Sequence, residues 1–170
     1  MVLTADETQS AAAIEAVDDF LRNEMSGEVR GSALGMRAEL KQESGNLEGA
    51  LEDLLAALPL TEDAFSRHVH EFCIAEVYRK RHDNSQVERW YRKSLETCAE
   101  SGKFSGGAVL HKYLELQPQD RLPSQDLALC STVALRSWKL LKLPGSPDLD
   151  DLSGTALKLI ETESAAPIGR

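Results

Sequence analysis

Histidine and acidic side chains cluster between residues 68 and 71, where His68, His70 and Glu71 are of the types that bind divalent metals. On a helix, side chains two residues apart point about 200° away from each other, so His68 and His70 cannot both bind one ion. The sequence also lacks the ligand spacing of a zinc site and the paired Glu-x-x-His motifs of di-iron bundles. We therefore expect no metal and no cofactor.

Two other segments have the outline of a ligand site without its chemistry. Asp148, Asp150 and Asp151 begin like a calcium loop, but Leu159 stands at the twelfth position, where such a loop needs glutamate. The stretch SGKFSGG at 101–107 lacks the spacing of a phosphate loop and has no strand before it. We expect neither a calcium site nor a nucleotide site.

The three cysteines, Cys73, Cys98 and Cys130, form no C-x-x-C motif. This usage is typical of a reducing compartment, in which thiols serve as small apolar residues. The N-terminal segment has no basic region before an apolar core, so we expect no signal peptide and a cytoplasmic protein. A catalytic cysteine and histidine could meet only in the fold, which keeps open one alternative, a helical-bundle enzyme with an unrecognised site.

One region concentrates positive charge in a chain whose net charge is −9. It comprises residues 79–82 and the basic side chains of the next helix, which lie beside aromatic residues. Arginine and tryptophan are favoured at protein interfaces. The predicted partner-binding residues are Arg79, Arg81, Arg89, Trp90, Arg92 and Lys93.

The remaining charge argues against nucleic acid as the partner. Residues 1–63 carry 14 acidic and 4 basic side chains, which disfavours non-specific contact with nucleic acid or anionic membrane. Asp83 and Glu88 also interrupt the basic region. We expect a protein or peptide partner.

The residues discussed above must be positioned by helices, because apolar side chains recur at three- and four-residue spacing and no segment alternates with period two. The pattern predicts an all-α fold of seven or eight helices in one domain, 1–163, with a flexible tail at 164–170. Helix pairs are expected at about 29–58, 62–101 and 108–143, with an N-terminal helix at 5–25 and a C-terminal helix at 147–163. Short connections make neighbouring helices antiparallel.

Local signals refine the two central pairs. Thr61 is the expected N-cap of the fourth helix, and Ser85 with Glu88 forms an expected capping box for the fifth. The expected buried side of the fourth helix comprises Phe65, Val69, Phe72, Cys73, Ala75 and Tyr78.

Two windows of the chain align with an offset of 37 residues. The first has Leu34, Ala38 and Leu40 before 45–47, then Ala50, Leu54, Ala57 and Leu58; the second has Ile74, Ala75 and Tyr78 before 82–83, then Val87, Tyr91, Ser94 and Leu95. Small residues at the equivalent places let two helices approach closely, and large ones fill the space beside them.

These windows resemble the tetratricopeptide family, most clearly in GNLEGALEDLLAAL at 45–58 and VERWYRKSL at 87–95. The resemblance covers about residues 31–98. The offset exceeds the usual 34 residues, His82 replaces a turn glycine, and Arg37 and Glu71 stand where that family prefers apolar residues. It implies a right-handed stacked array whose concave side receives a segment of a partner.

The sequence therefore predicts a non-enzymatic module that binds one protein partner as an adaptor, a chaperone or an inhibitor. Size and acidity resemble those of small secretion chaperones, and the same acidity suits an immunity protein that masks a basic toxin. Besides the enzyme, the other alternative is a structural subunit that forms a homodimer. Neither the partner nor the oligomeric state follows from the residues.

Overall fold

The computed structural model describes residues 5–23, 26–103, 106–117 and 124–141. In these ranges the chain forms seven α-helices and one short 3-10 helix, Leu58–Leu60, and no strand. The α-helices are α1 Ala5–Arg22, α2 Gly27–Glu43, α3 Leu47–Ala57, α4 Ala64–Lys80, α5 Asn84–Ser101, α6 Gly107–Leu116 and α7 Ser124–Leu141. The prediction of an all-helical chain is thus confirmed for the described residues, while the expected helix at 147–163 and the tail at 164–170 lie outside them.

The chain divides into two compact units, Met1–Trp90 and Tyr91–Arg170. In the first unit α2 packs against α1 and α3, and α3 packs against α4. The pairs Lys41 with Gly49 and Arg37 with Asp53 follow opposite chain directions in α2 and α3, so these helices are antiparallel. A small apolar core forms where α1, α2 and α3 meet; it contains Leu21, Ala33, Leu34 and Ala57, with Val17 and Leu60 packed against it.

A charged network joins the same three helices. Arg37 of α2 donates two hydrogen bonds to the buried carboxylate of Asp53 on α3, at 2.8 and 2.6 Å, and a third to Asp18 on α1. Lys41 lies 2.8 Å from the same Asp53 carboxylate. Burial raises the pKa of Asp53, but the hydrogen bonds from Arg37 and Lys41 outweigh burial and lower it below the ordinary value. Arg37, a departure from the tetratricopeptide pattern, therefore links α1, α2 and α3.

The loops α2–α3 and α4–α5 share two closing hydrogen bonds at equivalent positions, 37 residues apart. Asn46 N–H donates to the Lys41 carbonyl and Asp83 N–H to the Tyr78 carbonyl, at 2.8 and 3.1 Å. One residue earlier, Gly45 donates to Gln42 and His82 to Arg79, at 3.2 and 3.1 Å. This pair of bonds is the Schellman arrangement that closes a helix with a left-handed residue.

The left-handed residue is Gly45 in the first loop, with φ +80°, and His82 in the second, with φ +59°. His82 thus takes the backbone conformation of the glycine that it replaces. The helix starts are also equivalent, because Asn46 caps the Gly49 N–H and Asp83 caps the Gln86 N–H. The fifth helix is therefore capped by Asp83, and the prediction of a Ser85 capping box is wrong.

Burial follows the same offset. The residues of three equivalent pairs are at most 1% exposed: Ala38 with Ala75, Ala50 with Val87, and Leu54 with Tyr91. These three pairs, together with the two loops, follow the 37-residue spacing found in the sequence, whereas Leu51 is buried and its equivalent Glu88 is exposed.

In the second unit α6 packs against α7, and the buried apolar residues of these two helices are Val109, Leu110, Tyr113, Cys130, Val133 and Ala134. Gly106 precedes α6 at a close approach: a Cβ there would lie 2.8 Å from Cγ1 of Val133 and 2.9 Å from Sγ of Cys98. Only glycine fits at that position without displacing its neighbours.

Candidate binding surface

Helix α4 carries an apolar stripe that does not face the core. Phe65, Val69, Phe72 and Glu76 follow one another at spacings of four, three and four, which places them on one side of the helix. Phe65 is 57% exposed, and the other three are partly exposed. The prediction that Phe65 is buried is therefore wrong. Val69, Phe72, Cys73 and Tyr78 are only partly buried, and Ala75 is fully buried as expected.

The buried side of α4 contains His70, Glu71, Ile74, Ala75 and Val77 instead. Because this face includes polar side chains, the spacing of apolar residues does not predict that it is the buried one. His70 can be buried because its ring is hydrogen-bonded: Nδ1 lies 3.1 Å from Oγ1 of Thr61, and that hydroxyl donates to the Ala57 carbonyl at 2.9 Å. The hydroxyl proton is used by Ala57, so Nδ1 carries the proton of the His70–Thr61 bond.

The sequence predicts that Thr61 caps α4. Its hydroxyl is used in these contacts instead, so Thr61 does not cap the helix. The N-cap is Asp63, whose carboxylate accepts from the Ser66 N–H at 2.8 Å. Burial lowers the pKa of His70, opposed by the charge of Asp63, so the neutral ring is favoured.

Helix α2 presents a second stripe with the same spacing. Ser32, Met36, Glu39 and Glu43 lie on its exposed side, and Met36 is 58% exposed. We call the two stripes together, 32, 36, 39 and 43 with 65, 69, 72 and 76, the α2/α4 face.

Three contacts show that α2 and α4 run parallel beside each other. A Cβ on Gly35 would lie 2.5 Å from Nε2 of His70, so the ring sits directly against the α2 backbone. Further along both helices, the charge of Glu39 acts on the Cys73 thiol, and Lys80 donates to Gln42 at 3.3 Å. The order of the contacts is the same in both helices, which sets their direction.

Two of the cysteines, Cys73 and Cys130, have surroundings that disfavour the thiolate. Burial, with the negative charges of Glu39 and Glu76, raises the pKa of Cys73 to about 11. Burial and the charge of Asp126 raise the pKa of Cys130 to about 12. A nucleophilic cysteine needs a depressed pKa, so these two thiols stay protonated at neutral pH.

A buried carboxylate in the second unit has the partners of a structural ion pair. Asp126 on α7, 2% exposed, accepts from Nε of Arg92 at 2.7 Å and from the Tyr113 hydroxyl at 2.8 Å. The negative charge of Asp126 raises the pKa of Arg92. Both carboxylate oxygens are thus engaged by α5 and α6, and the cluster joins three helices.

The six predicted partner-binding residues have different surroundings. Arg79 pairs with Glu76 at 2.6 Å, Arg81 lies 5.9 Å from the Tyr78 ring centre, and Arg89 lies 6.0 Å from that of Trp90. Trp90 is only 8% exposed.

Arg92 is occupied with Asp126, and Lys93 is exposed on α5. Arg79, Arg81, Arg89 and Trp90 belong to the first unit and Arg92 and Lys93 to the second. Their role in binding stays a prediction.

Within the described ranges, no three histidine, cysteine, aspartate or glutamate side chains are grouped so that they could hold a metal ion. No helix in the same part of the chain has the length and apolar character needed to cross a membrane. Comparison with protein-family models, curated proteins and solved structures finds no match.

Proposed function

We propose that this protein is a non-enzymatic protein-binding module, a small cytoplasmic adaptor, chaperone or inhibitor that holds one protein partner on its α2/α4 face. The observation that carries the proposal is the exposure of Met36 and Phe65 on neighbouring parallel helices, continued by Val69 and Phe72. Apolar side chains gathered on one exposed face are characteristic of interaction sites.

The helices that carry the face are held in a defined arrangement. The buried His70 ring packs on Gly35 and binds Thr61, and the Arg37 network fixes α2 against α1 and α3. A preformed surface loses less entropy on binding than a flexible one. Cys73 and Cys130 have raised pKa values, and Asp126 is held by Arg92 and Tyr113, so we assign these three side chains structural roles.

We further propose that the helix pairs stack as a tetratricopeptide-like right-handed array. The support is the pair of Schellman loops at Gly45 and His82 and the matching burial 37 residues apart. An experimental structure would support this arrangement if the hairpins 27–57 and 64–101 are related by a right-handed rotation. A left-handed relation would contradict it.

The test of function is affinity capture from native lysate with mass spectrometry. Met36→Asp/Phe65→Asp alters the α2/α4 face, and Phe20→Asp/Leu55→Asp is the matched control, since Phe20 and Leu55 are exposed apolar residues on α1 and α3. We expect one protein to be enriched by wild type and control and lost with the first variant, with all three proteins folded by circular dichroism. Equal capture by the two variants, or no enriched protein, would overturn the proposal.

A further inference from the structure

The net charge of the chain belongs to one of its two units. Met1–Trp90 contains 18 acidic and 9 basic side chains, a net charge of −9, whereas Tyr91–Arg170 contains 10 of each. The unit that carries the α2/α4 face is therefore the acidic one. Its field attracts basic molecules and repels acidic ones.

The basic and the acidic residues of α2 have different surroundings. Its three basic residues are used in contacts inside the unit: Arg30 donates to the Leu21 carbonyl, Arg37 binds Asp18 and Asp53, and Lys41 binds Asp53. Its acidic residues, Glu28, Glu39 and Glu43, are exposed. Arg30 is also exposed but lies near the start of α2, whereas Arg37 and Lys41, which flank Glu39, are partly buried.

On the α2/α4 face, the acidic side chains lie at one end and the apolar ones at the other. In α2 Met36 precedes Glu39 and Glu43, and in α4 Phe65, Val69 and Phe72 precede Glu76. Glu39 and Glu43 form no ion pair within the described part of the chain. Of the basic residues at the acidic end, Arg79 is neutralised by Glu76, and Lys80 is directed to Gln42.

The spacing of the stripes indicates the shape of the occupant. Each stripe advances by four, three and four residues and spans about 16 Å at about 1.5 Å per residue. A helix laid into a groove uses anchors at this spacing, with apolar residues recurring every three or four positions. An occupant helix of about three turns matches the length of the face.

We propose that the α2/α4 face binds a basic amphipathic helix of a partner protein, with its apolar side on Met36, Phe65, Val69 and Phe72 and its Lys or Arg residues against Glu39 and Glu43. This inference rests on the proposed function and specifies the chemistry of the partner. A second copy of the chain is disfavoured as the occupant because two units of charge −9 repel each other.

The probes are three synthetic peptides of about 18 residues, long enough to form several helical turns. The first peptide has Leu at every third or fourth position and Lys at the others, so that its helix has one apolar and one basic side. The second has Glu in place of Lys. The third has the composition of the first in scrambled order. Binding is measured by fluorescence anisotropy at low and high salt. We expect the patterned Leu/Lys peptide to bind best and to weaken with salt.

The deciding variants exchange charge at two matched places. Glu39→Lys/Glu43→Lys reverses the charges of the face, and Glu48→Lys/Glu52→Lys makes the same change at exposed positions of α3. We expect the first pair to weaken the patterned Leu/Lys peptide about tenfold, equivalent to about 1.4 kcal/mol, and the second less than about twofold. Equal weakening by both pairs would overturn the inference, since the peptide would then respond to net charge alone.

Two further outcomes separate this inference from the proposed function. If the Leu/Glu peptide binds as tightly, and its binding is lost in Met36→Asp/Phe65→Asp, the face binds helices but the basic partner is wrong. If wild type self-associates in analytical ultracentrifugation and Met36→Asp/Phe65→Asp does not, the α2/α4 face binds a second copy of the chain and the inference is overturned. Capture of the native partner decides the proposed function independently of either peptide result.

Discussion

Gly45 and His82 occupy the same left-handed position in two loops that share their backbone hydrogen bonds, 37 residues apart. A β-carbon in this conformation is strained, whereas glycine is not. His82→Gly is therefore expected to stabilise the protein by about 0.5–1 kcal/mol, and Gly45→Ala to destabilise it by about 1 kcal/mol. Urea denaturation of both variants measures the two changes. A destabilised His82→Gly protein would show that the imidazole makes a contribution larger than the strain.

Asp126 is expected to be the polar group of the second unit that is most sensitive to substitution. Asp126→Asn removes the charge that Arg92 faces and should cost about 2–3 kcal/mol, and Tyr113→Phe about 1–2 kcal/mol through the lost hydrogen bond. Glu115→Gln on α6 is the matched control, because Glu115 makes exposed pairs and should change stability by less than about 0.5 kcal/mol. Thermal denaturation compares the three. A cost for Asp126→Asn no larger than the control's would contradict the structural role.

His70 should make stability depend on pH below neutrality. Its pKa is lowered in the folded protein from an ordinary value of 6.5, so the unfolded chain takes up the proton first. The contribution of the neutral ring is complete above pH 6.5 and declines as the pH falls towards the folded pKa, by about 1.4 kcal/mol for each pH unit of depression. His70→Gln should flatten the fall in Tm between pH 7.5 and 5.5. Parallel wild-type and His70→Gln profiles would refute this assignment.

The basic residues at the end of α4 and on α5 allow a test that separates the basic-partner inference from the sequence-based prediction that these residues bind the partner. Arg81→Glu/Arg89→Glu reverses two exposed charges without removing Arg92, whose loss would leave Asp126 without its ion pair. If the partner is basic, its capture from lysate should stay within about twofold, since rim charges of the same sign contribute no attraction. Loss of capture would instead support the sequence-based prediction that this region binds the partner.

The sequence predicts the helices well because glycine and asparagine end α2, His82 and Asp83 end α4, and neither break depends on tertiary contacts. The sequence does not predict the correct residue where two candidates are distinguished only by hydrogen bonds to other segments. Thr61 and Asp63 are both acceptable caps, and only the approach of His70 and the Ala57 carbonyl assigns Thr61 to the interior.

The same limit applies to the binding surface. α4 has two stripes that could face the core, and the apolar one, with Phe65 and Phe72, is the exposed one. No periodicity argument selects the stripe that contains His70 and Glu71, because the burial of His70 depends on its hydrogen bond to Thr61, in another segment. The exposed acids Glu39 and Glu43 are not evident from the sequence for a related reason: Arg37 and Lys41, which flank Glu39, are engaged by Asp18 and Asp53 on other helices.

The paired loops also determine how such a chain can grow. The Schellman bonds of these loops join backbone atoms. In each loop, the outer bond is donated by the residue whose side chain caps the next helix. A chain in which residues 46–82 occurred twice in succession would meet the same donors and acceptors at the new junction. Lengthening by duplication in whole steps of 37 residues would then preserve the Schellman bonds of each loop.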